Sequence, residues 1–379
     1  MNAGGLTAQA KARLLVSLVI EPGDPRGLAV RETPGGPAAW WDRLQRRGDL
    51  PAAWLAAVES AEDRAAAALR RAGAIGARWV VPGHPQWPAA LDDLEHPEGI
   101  GQVAGAPWGL WVRGGGDLAE AAGSAVAVVG ARSCTTYGSE VASDIAADCA
   151  DQGLTVVSGA AFGIDASAHR GALLACGRTV AVLACGVDLD YPSAHAALLR
   201  RIGEEGLIVS EYPPGEGVQR HRFLVRNRVI AALGLGTVVV EAAIRSGSLN
   251  TLHWADQLGR TTLAVPGPVT SQLSSGTHRA VRDGKAVLVT SGTEVMTELL
   301  GLEPEGDLRV GPAARRVWNR LDATPRTVPD LAAGLRLGTT AVGRALAELE
   351  RLGVAGTEAA GWSRVRAGIR QVPAGTVEE

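Results

Sequence analysis

Ala125-Val126-Ala127-Val128-Val129-Gly130-Ala131-Arg132-Ser133-Cys134 is the stretch that decides how this chain folds. Four apolar residues, Val126 to Val129, run into a glycine and then polar residues, and a helical pattern starts near Gly138. That order reads as a buried strand feeding a loop that opens a helix, a geometry that aims backbone N–H groups at an anion. Arg132 adds a fixed positive charge at the same spot. Gly130, Ala131 and Arg132 are therefore the first candidate binding residues, and the expected ligand is a phosphate.

Working outward, residues 124–300 alternate regularly. Apolar strand-like runs fall at 125–129, 154–157, 179–184, 206–209, 236–241, 261–265 and 286–290. Helical patterns lie between them, near 138–151, 164–176, 193–203, 225–233, 247–258 and 276–283. Strands separated by helices of this length imply βαβ units and a doubly wound, mainly parallel α/β sheet. Ligands of such sheets sit beyond the carboxyl ends of the strands. Here those positions are the loops after 129, 157, 184, 209, 241 and 265.

The flanks differ in texture. Residues 1–78 read as a small helical domain, with Pro22-Gly23-Asp24-Pro25 breaking its first helix after Val19. Trp79 to Gly116 supplies short strands attached to the main sheet, so the central domain is expected over 79–300. Residues 301–312 form a linker. Over 313–372 three helical patterns precede a possible β-wing at Val354 to Val365, which resembles a winged helix, with ten arginines against five acidic residues.

With 379 residues and a formal net charge of −3, the chain advertises no bulk affinity for nucleic acid. Binding needs a local patch rather than a global balance, however. Lys11 and Lys285 are the only lysines, so the positive charge is almost all arginine, which suits bidentate phosphate contacts. Four cysteines show no CxxC or Cys/His metal spacing and are expected as reduced thiols. Leu14 to Ile20 is too short to span a bilayer, and no signal-peptide pattern opens the chain. A soluble, cytoplasmic protein without metal, cofactor or membrane partner is the expectation.

The densest chemistry lies in Arg220-His221-Arg222-Phe223 and Arg226-Asn227-Arg228. A charge run is usually a solvated face. This one opens a helix and follows the Glu211-Tyr212-Pro213-Pro214 loop after a strand, on the ligand side of the sheet. Tyr137, Phe162, Tyr191, Tyr212 and Phe223, all the Phe and Tyr of the chain, fall in the same domain. Arginine interleaved with aromatics is how single strands are held, by pairing phosphates and stacking bases. Ser158-Gly159 begins another Gly-rich loop that leads to Asp165 and His169, which share a helix face. They read as a general-base pair or two metal ligands, or as a helix-capping Asp that also hydrogen-bonds the His. No third ligand or nucleophile is suitably spaced, so the structural reading is taken. Glu241 precedes Ser246-Gly247-Ser248, small residues that let a phosphate approach a helix start.

These motifs, in order, resemble the DprA/Smf family. The matching stretches are Val129-Gly130-Ala131-Arg132 with Tyr137-Gly138, Ser158 to Asp165 with Ala168-His169, and Ala181 to Gly186 with Tyr191-Pro192. They continue with Ser210-Glu211-Tyr212-Pro213, Arg226-Asn227-Arg228-Val229-Ile230, Val240-Glu241-Ala242 with Ser246-Gly247-Ser248, and Val265-Pro266-Gly267 with Ser275-Gly276-Thr277. The resemblance covers roughly 79–300. It implies an extended Rossmann fold that binds single-stranded DNA without sequence preference, dimerises, and loads RecA recombinase onto DNA covered by single-strand-binding protein during transformation and recombination, with no catalysis. It also implies a SAM- or HhH-like helical N-terminus and a C-terminal winged helix. Carried over by position, Arg132 and the segment Arg220, Arg222, Phe223, Arg226, Asn227, Arg228 line the DNA site. Gly130, Ala131, Ser158, Gly159, Ser246, Gly247 and Ser248 join them from the loops, with Asp165, His169, Glu211 and Glu241 as structural residues at the site. Ala131 stands where the family usually has Ser, and Leu224 where it usually has Pro.

A nucleotide-processing enzyme is the competing reading. Gly236-Thr237 ahead of Glu241 resembles the PGGxGTxxE motif of phosphoribohydrolases on a Rossmann fold, with three intervening residues instead of two and no Pro-Gly-Gly. A dehydrogenase is disfavoured because no GxGxxG follows the first strand.

Overall fold

The computed structural model describes residues 6–46, 48, 50–95, 99–301, 310–321, 324–358 and 360–364. The chain forms two compact units, Met1–Glu303 and Pro304–Glu379.

The first unit opens with four helices, α1 (Ala8–Val19), α2 (Arg26–Arg31), α3 (Gly36–Gln45) and α4 (Ala52–Ala74). Strand β1 (Arg78–Val80), a 3-10 turn (Ala89–Glu95), β2 (Leu110–Arg113) and α5 (Leu118–Gly123) follow. The wound core then runs β3 (Ala125–Val129), α6 (Thr136–Asp151), β4 (Thr155–Ser158), α7 (Ile164–Leu174), β5 (Thr179–Val182), α8 (Ala196–Glu205) and β6 (Leu207–Ser210). It continues with α9 (Arg222–Val225), α10 (Asn227–Leu233), β7 (Gly236–Val239), α11 (Gly247–Gln257), β8 (Thr261–Ala264), α12 (Ser275–Arg282), β9 (Val287–Leu288) and α13 (Gly292–Leu300).

These strands make one nine-stranded sheet in the order β1-β2-β6-β5-β4-β3-β7-β8-β9. All neighbours are parallel except β1 with β2 and β2 with β6, so the short strands expected from Trp79 to Gly116 do extend the sheet, and they run antiparallel. The strand expected over 286–290 pairs only at Val287 and Leu288, both half exposed at the sheet's edge.

β3 shows why the opening stretch governs the fold. All five of its residues are buried, each valine contributing about 1.5–3 kcal/mol of apolar burial. Val126 and Val128 join the core under α6 and α7, whereas Ala125, Ala127 and Val129 join the core under α10 and α11. That is the period-2 alternation of a strand covered on both faces. From β3 the sheet grows one way through β4, β5 and β6 and the other way through β7, β8 and β9. The β3/β7 pair is therefore the point where the winding reverses, and a ligand crevice opens at its carboxyl end.

Residues 1–78, expected as a domain of their own, share a core with the sheet instead. Leu14, Trp54 and Ala65 cluster with Trp79, Trp111, Ala181 and Ile208. An Ala-rich helix such as α4 buries too little apolar area to stand alone, and the tryptophans of β1 and β2 supply the rest. Trp40, Trp41 and Trp54 are core residues.

The second unit contains α14 (Pro312–Arg320), α15 (Val328–Leu335), α16 (Thr339–Arg351) and the antiparallel pair β10 (Ala355–Glu358) and β11 (Gly361–Arg364). Val317, Leu331, Val342, Leu346 and Leu349 form its core. Residues 302–309 of the expected linker and everything beyond Arg364 lie outside the described residues.

Candidate nucleic-acid interface

At the crevice, the loop after β3 is stitched to the strand beside it. The Ala131 N–H donates to the Glu241 carbonyl at 2.7 Å, and the Ala131 carbonyl accepts from Ile164 N at 3.2 Å. The Glu241 carboxylate accepts from Thr135 N at 2.9 Å and Thr135 Oγ1 at 2.6 Å, and Thr135 caps α6 by accepting from Gly138 N. A Cβ on Gly130 would lie 2.6 Å from Ile164 Cγ1, so only glycine fits. Gly163, at φ +76°, turns the chain into α7 directly against Ala131 and Arg132. The expected cradle of open N–H groups is therefore corrected at Ala131. Its amide is spent inside the protein, because holding β3 against β7 needs it. What the loop offers outward is the Arg132 side chain, which is exposed.

The basic segment behaves differently, because α10 is buried at every residue. Arg228 is 0% exposed. It grips Glu211 with both terminal nitrogens, one bond at 2.7 Å, and donates from Nε to the Gly105 carbonyl at 2.9 Å. Burial acts to lower the Arg228 pKa, yet the Glu211 charge and hydrogen bonds raise it above the ordinary arginine value. Arg222, 4% exposed, donates from Nε to Glu21 at 2.7 Å and from Nη1 to the Gly217 carbonyl at 2.9 Å, beside Glu216. Its guanidinium lies 4.3 Å from the Tyr212 ring centroid. Arg222 and Arg228, expected among the DNA contacts, thus face carboxylates within the fold. A cation on a helix with no solvent face must be paired to be buried at all.

Arg226 sits between these extremes. It is 6% exposed and lines the crevice. One terminal nitrogen donates to the carbonyls of Gly159 and Val182, the other lies 3.7 Å from Asp165, and Nε has no partner. Burial lowers its pKa, with Asp165 opposing and Arg132 reinforcing that shift. Burial in turn raises the pKa of Asp165, opposed by Arg226 and by the backbone amides of Ala161, Gly130 and Gly159. Gly159 is obligatory, since a Cβ there would strike the Arg226 guanidinium.

His169 does not pair with Asp165 as expected. Its Nδ1 meets Thr179 Oγ1 at 2.7 Å, because the ring turns from α7 into the sheet while Asp165 points along the first turn at the loop amides. Fully buried, and near Arg226 and His195, His169 has its pKa pushed down to about 3 by desolvation first and those charges second. Ser158 is likewise internal, donating to the Val128 carbonyl at 2.6 Å. The Glu241 carboxylate, which the enzyme reading would need, is the one engaged by Thr135.

The remaining groups converge on a cleft of about 710 Å³. Arg132 and Arg220, both exposed, line it together with Arg226. The start of α11 closes a third side: Ser246 caps it by accepting from Ser248 N, and Asn227 ties it down through the Gly247 carbonyl at 3.1 Å. Phe223 is the pivot. The Arg132 guanidinium lies 4.7 Å and that of Arg226 5.7 Å from its ring centroid, and Tyr191 packs beside it with centroids 5.8 Å apart. A shallower slot of about 40 Å³ continues past Phe223 between Phe162 and Tyr191. Cations over one aromatic face beside further exposed aromatics can pair phosphates and stack bases.

The sequence reading missed Tyr191, Phe162, Val218, Leu224 and Thr251 as lining residues. For the two aromatics a signal existed, their place in loops after β4 and β5. Among the described residues no group of three His, Cys, Asp or Glu is arranged to hold a metal ion. Nor, among the described residues, is any helix long and apolar enough to cross a membrane.

The family described as DNA recombination-mediator protein A matches residues 80–300. A DprA-named protein of Mycobacterium tuberculosis is 41% identical, covering 96% of this chain and 97% of its own. The DNA processing protein DprA of Streptococcus pneumoniae is 41% identical over 55% of this chain and 72% of its own. A solved structure of the Streptococcus pneumoniae protein superposes with a TM-score of 0.59 at 31% identity, covering 78% of this chain and 94% of that one. A second structure concerns the single-stranded DNA binding mode of DNA processing protein A from Helicobacter pylori. It superposes at 0.51 with 25% identity, over 59% of this chain and 96% of that one.

Proposed function

Because the chain belongs to the DNA recombination-mediator protein A family, we propose that its cleft binds single-stranded DNA without sequence preference and performs no reaction on it. The observation that carries this reading is one cleft lined by the exposed cations Arg132 and Arg220 and by the aromatic pair Phe223 and Tyr191, with the Arg132 guanidinium over the Phe223 ring. Phosphates pair with the guanidinium groups and the start of α11. Bases stack on the rings, which every base can do and only an unpaired strand allows. Finer roles belong to the same proposal: the protein is a cytoplasmic homodimer that passes its strand to RecA past single-strand-binding protein, and its second unit is a winged helix.

A fluorescence-anisotropy titration with single- and double-stranded oligonucleotides at two salt concentrations tests the core of this reading. Tight binding of the single strand that weakens steeply with salt is the expected result, and Arg132→Glu abolishes it. Equal affinity for duplex, or binding indifferent to salt and to Arg132→Glu, sinks it. Release of free base from a nucleoside monophosphate would favour the phosphoribohydrolase reading instead.

A further inference from the structure

We propose that Glu21, at the end of the first helix, is a positioning residue for the DNA cleft, so that the N-terminal helices set the wall that carries Arg220 and Phe223. The inference rests on the single-stranded DNA reading above. Its starting point is the inward turn of Arg222, which lies two residues from Arg220 and one from Phe223.

Two carboxylates from different parts of the chain converge on that guanidinium. Glu21 accepts from Arg222 Nε at 2.7 Å and Nη2 at 3.4 Å, and its Oε1 lies 3.2 Å from His221 Nε2. Glu216 lies 3.4 Å from Arg222 Nη1 and also receives Arg64 of α4 at 3.0 Å. Arg64 in turn donates to the Leu18 carbonyl of α1 at 2.8 Å, closing a ring from α1 through α4 to the basic segment and back. Backbone packing follows the same seam. A Cβ on Gly23 would lie 3.0 Å from Val225, and one on Gly215 would strike Arg71 of α4. Glu21 itself does not line the cleft.

The physical consequence follows from Glu21 being the nearer of the two carboxylates at Arg222 and the acceptor of its Nε. Without Glu21, Nε loses its acceptor, and the nearly buried guanidinium keeps the Gly217 carbonyl and the Tyr212 ring but only the longer Glu216 contact as a counter-charge, so it shifts from its place. Phe223, the next residue, then loses its fixed place between Arg132 and Arg226. Long side chains contribute to binding in proportion to how well they are held before the ligand arrives. Glu21 acts on the DNA through Arg222 and touches no phosphate; by charge it would repel one.

The test compares the full-length protein with Glu21→Ala, Glu21→Gln, Phe223→Ala, the double variant of Glu21→Ala with Phe223→Ala, and the charge exchange Glu21→Arg with Arg222→Glu. Single-stranded DNA carrying 2-aminopurine reports affinity by anisotropy and base stacking by quenching, and thermal unfolding is recorded for each variant. Glu21→Ala should weaken binding about three- to thirty-fold, the range for residues coupled to a site they do not touch. It should also reduce the quenching at saturation, which a general loss of stability would not do. The loss should be smaller in Glu21→Gln, should not add to that of Phe223→Ala, and should be recovered only in part by the charge exchange, which sets a carboxylate at 222 beside Glu216. Unchanged affinity and quenching in Glu21→Ala, or losses additive with Phe223→Ala, would overturn the proposal while leaving the DNA site intact. Absence of binding by the unaltered protein would overturn the functional reading first, and this inference with it.

Discussion

Two loops line the same cleft and treat arginine in opposite ways. After β3, Arg132 stands exposed with its guanidinium 4.7 Å from the Phe223 ring centroid, while its own loop is locked by Glu241 and Thr135. After β6, the loop is rich in arginine, yet Arg222, Arg226 and Arg228 turn inward onto Glu21, Asp165 and Glu211. Among the described residues, Arg220 is the arginine of that segment without a carboxylate partner, and it lines the cleft. A cation's usefulness to a phosphate therefore depends on whether a carboxylate has already claimed it. Arginine count overstates the binding capacity of the second wall and understates its rigidity.

Arg228→Ala breaks this contrast most sharply. Removing one partner of a fully buried pair leaves the Glu211 charge uncompensated, at a cost of about 3–5 kcal/mol. Chemical denaturation should show that loss, whereas Arg132→Ala, at the surface, should stay within about 0.5 kcal/mol of the unaltered protein. A mild effect at Arg228 would mean that the segment is looser than its burial implies.

Acid should expose the same buried electrostatics. His169 is neutral in the fold with its pKa pushed down to about 3, whereas in the unfolded chain it titrates near its ordinary value of 6.5. Below about pH 6.5 the unfolded chain takes up a proton that the folded one refuses. Stability is therefore whole above that pH and is lost progressively as pH falls toward 3, by on the order of a few kcal/mol. Melting temperature should drop between pH 7 and pH 4, and His169→Asn, which can still meet Thr179, should flatten the acid limb. An identical acid limb in that variant would remove His169 from the account.

The architecture was legible because strand period and helix spacing are local. Val126 to Val129, read as a buried strand, is one, and the winding reverses beside it. The candidate site was legible in position but not in role. Sequence could say that Arg222, Arg226 and Arg228 lie near the cleft, but not which way they face. Their partners come from elsewhere in the chain: Glu21 is 201 residues from Arg222, and Asp165 lies in the first turn of α7. The same blindness affected Ala131, whose amide was assigned to a ligand before its bond to Glu241 could be known, and residues 1–78, whose core is completed by Trp79 and Trp111. Pairings across the chain carry no local signature.

Phe223 is where both walls meet, so its removal should separate stacking from charge. Phe223→Ala should cost about 1–3 kcal/mol of single-strand affinity, the value of one stacked base. Because phosphate contacts remain, the slope of log affinity against log salt should barely change. A collapse of that slope in a titration series would show instead that the ring serves mainly to hold Arg132 in place.

The smallest effect, and the finest test of the comparison, belongs to Arg220. If it is the one free cation of its wall, Arg220→Gln should lower the salt slope by about one, as for a single phosphate contact, uniformly across sequences. Arg222→Gln should leave the number of phosphates unchanged, since that guanidinium is held by Glu21 and Glu216; it should weaken binding only through Phe223. The two variants sit two residues apart on one segment and differ by one charge from the same parent, so net charge alone predicts identical slopes. Salt slopes measured side by side then read out facing rather than charge. Equal drops in both would place Arg222 in the cleft when DNA is bound and dissolve the distinction between the walls.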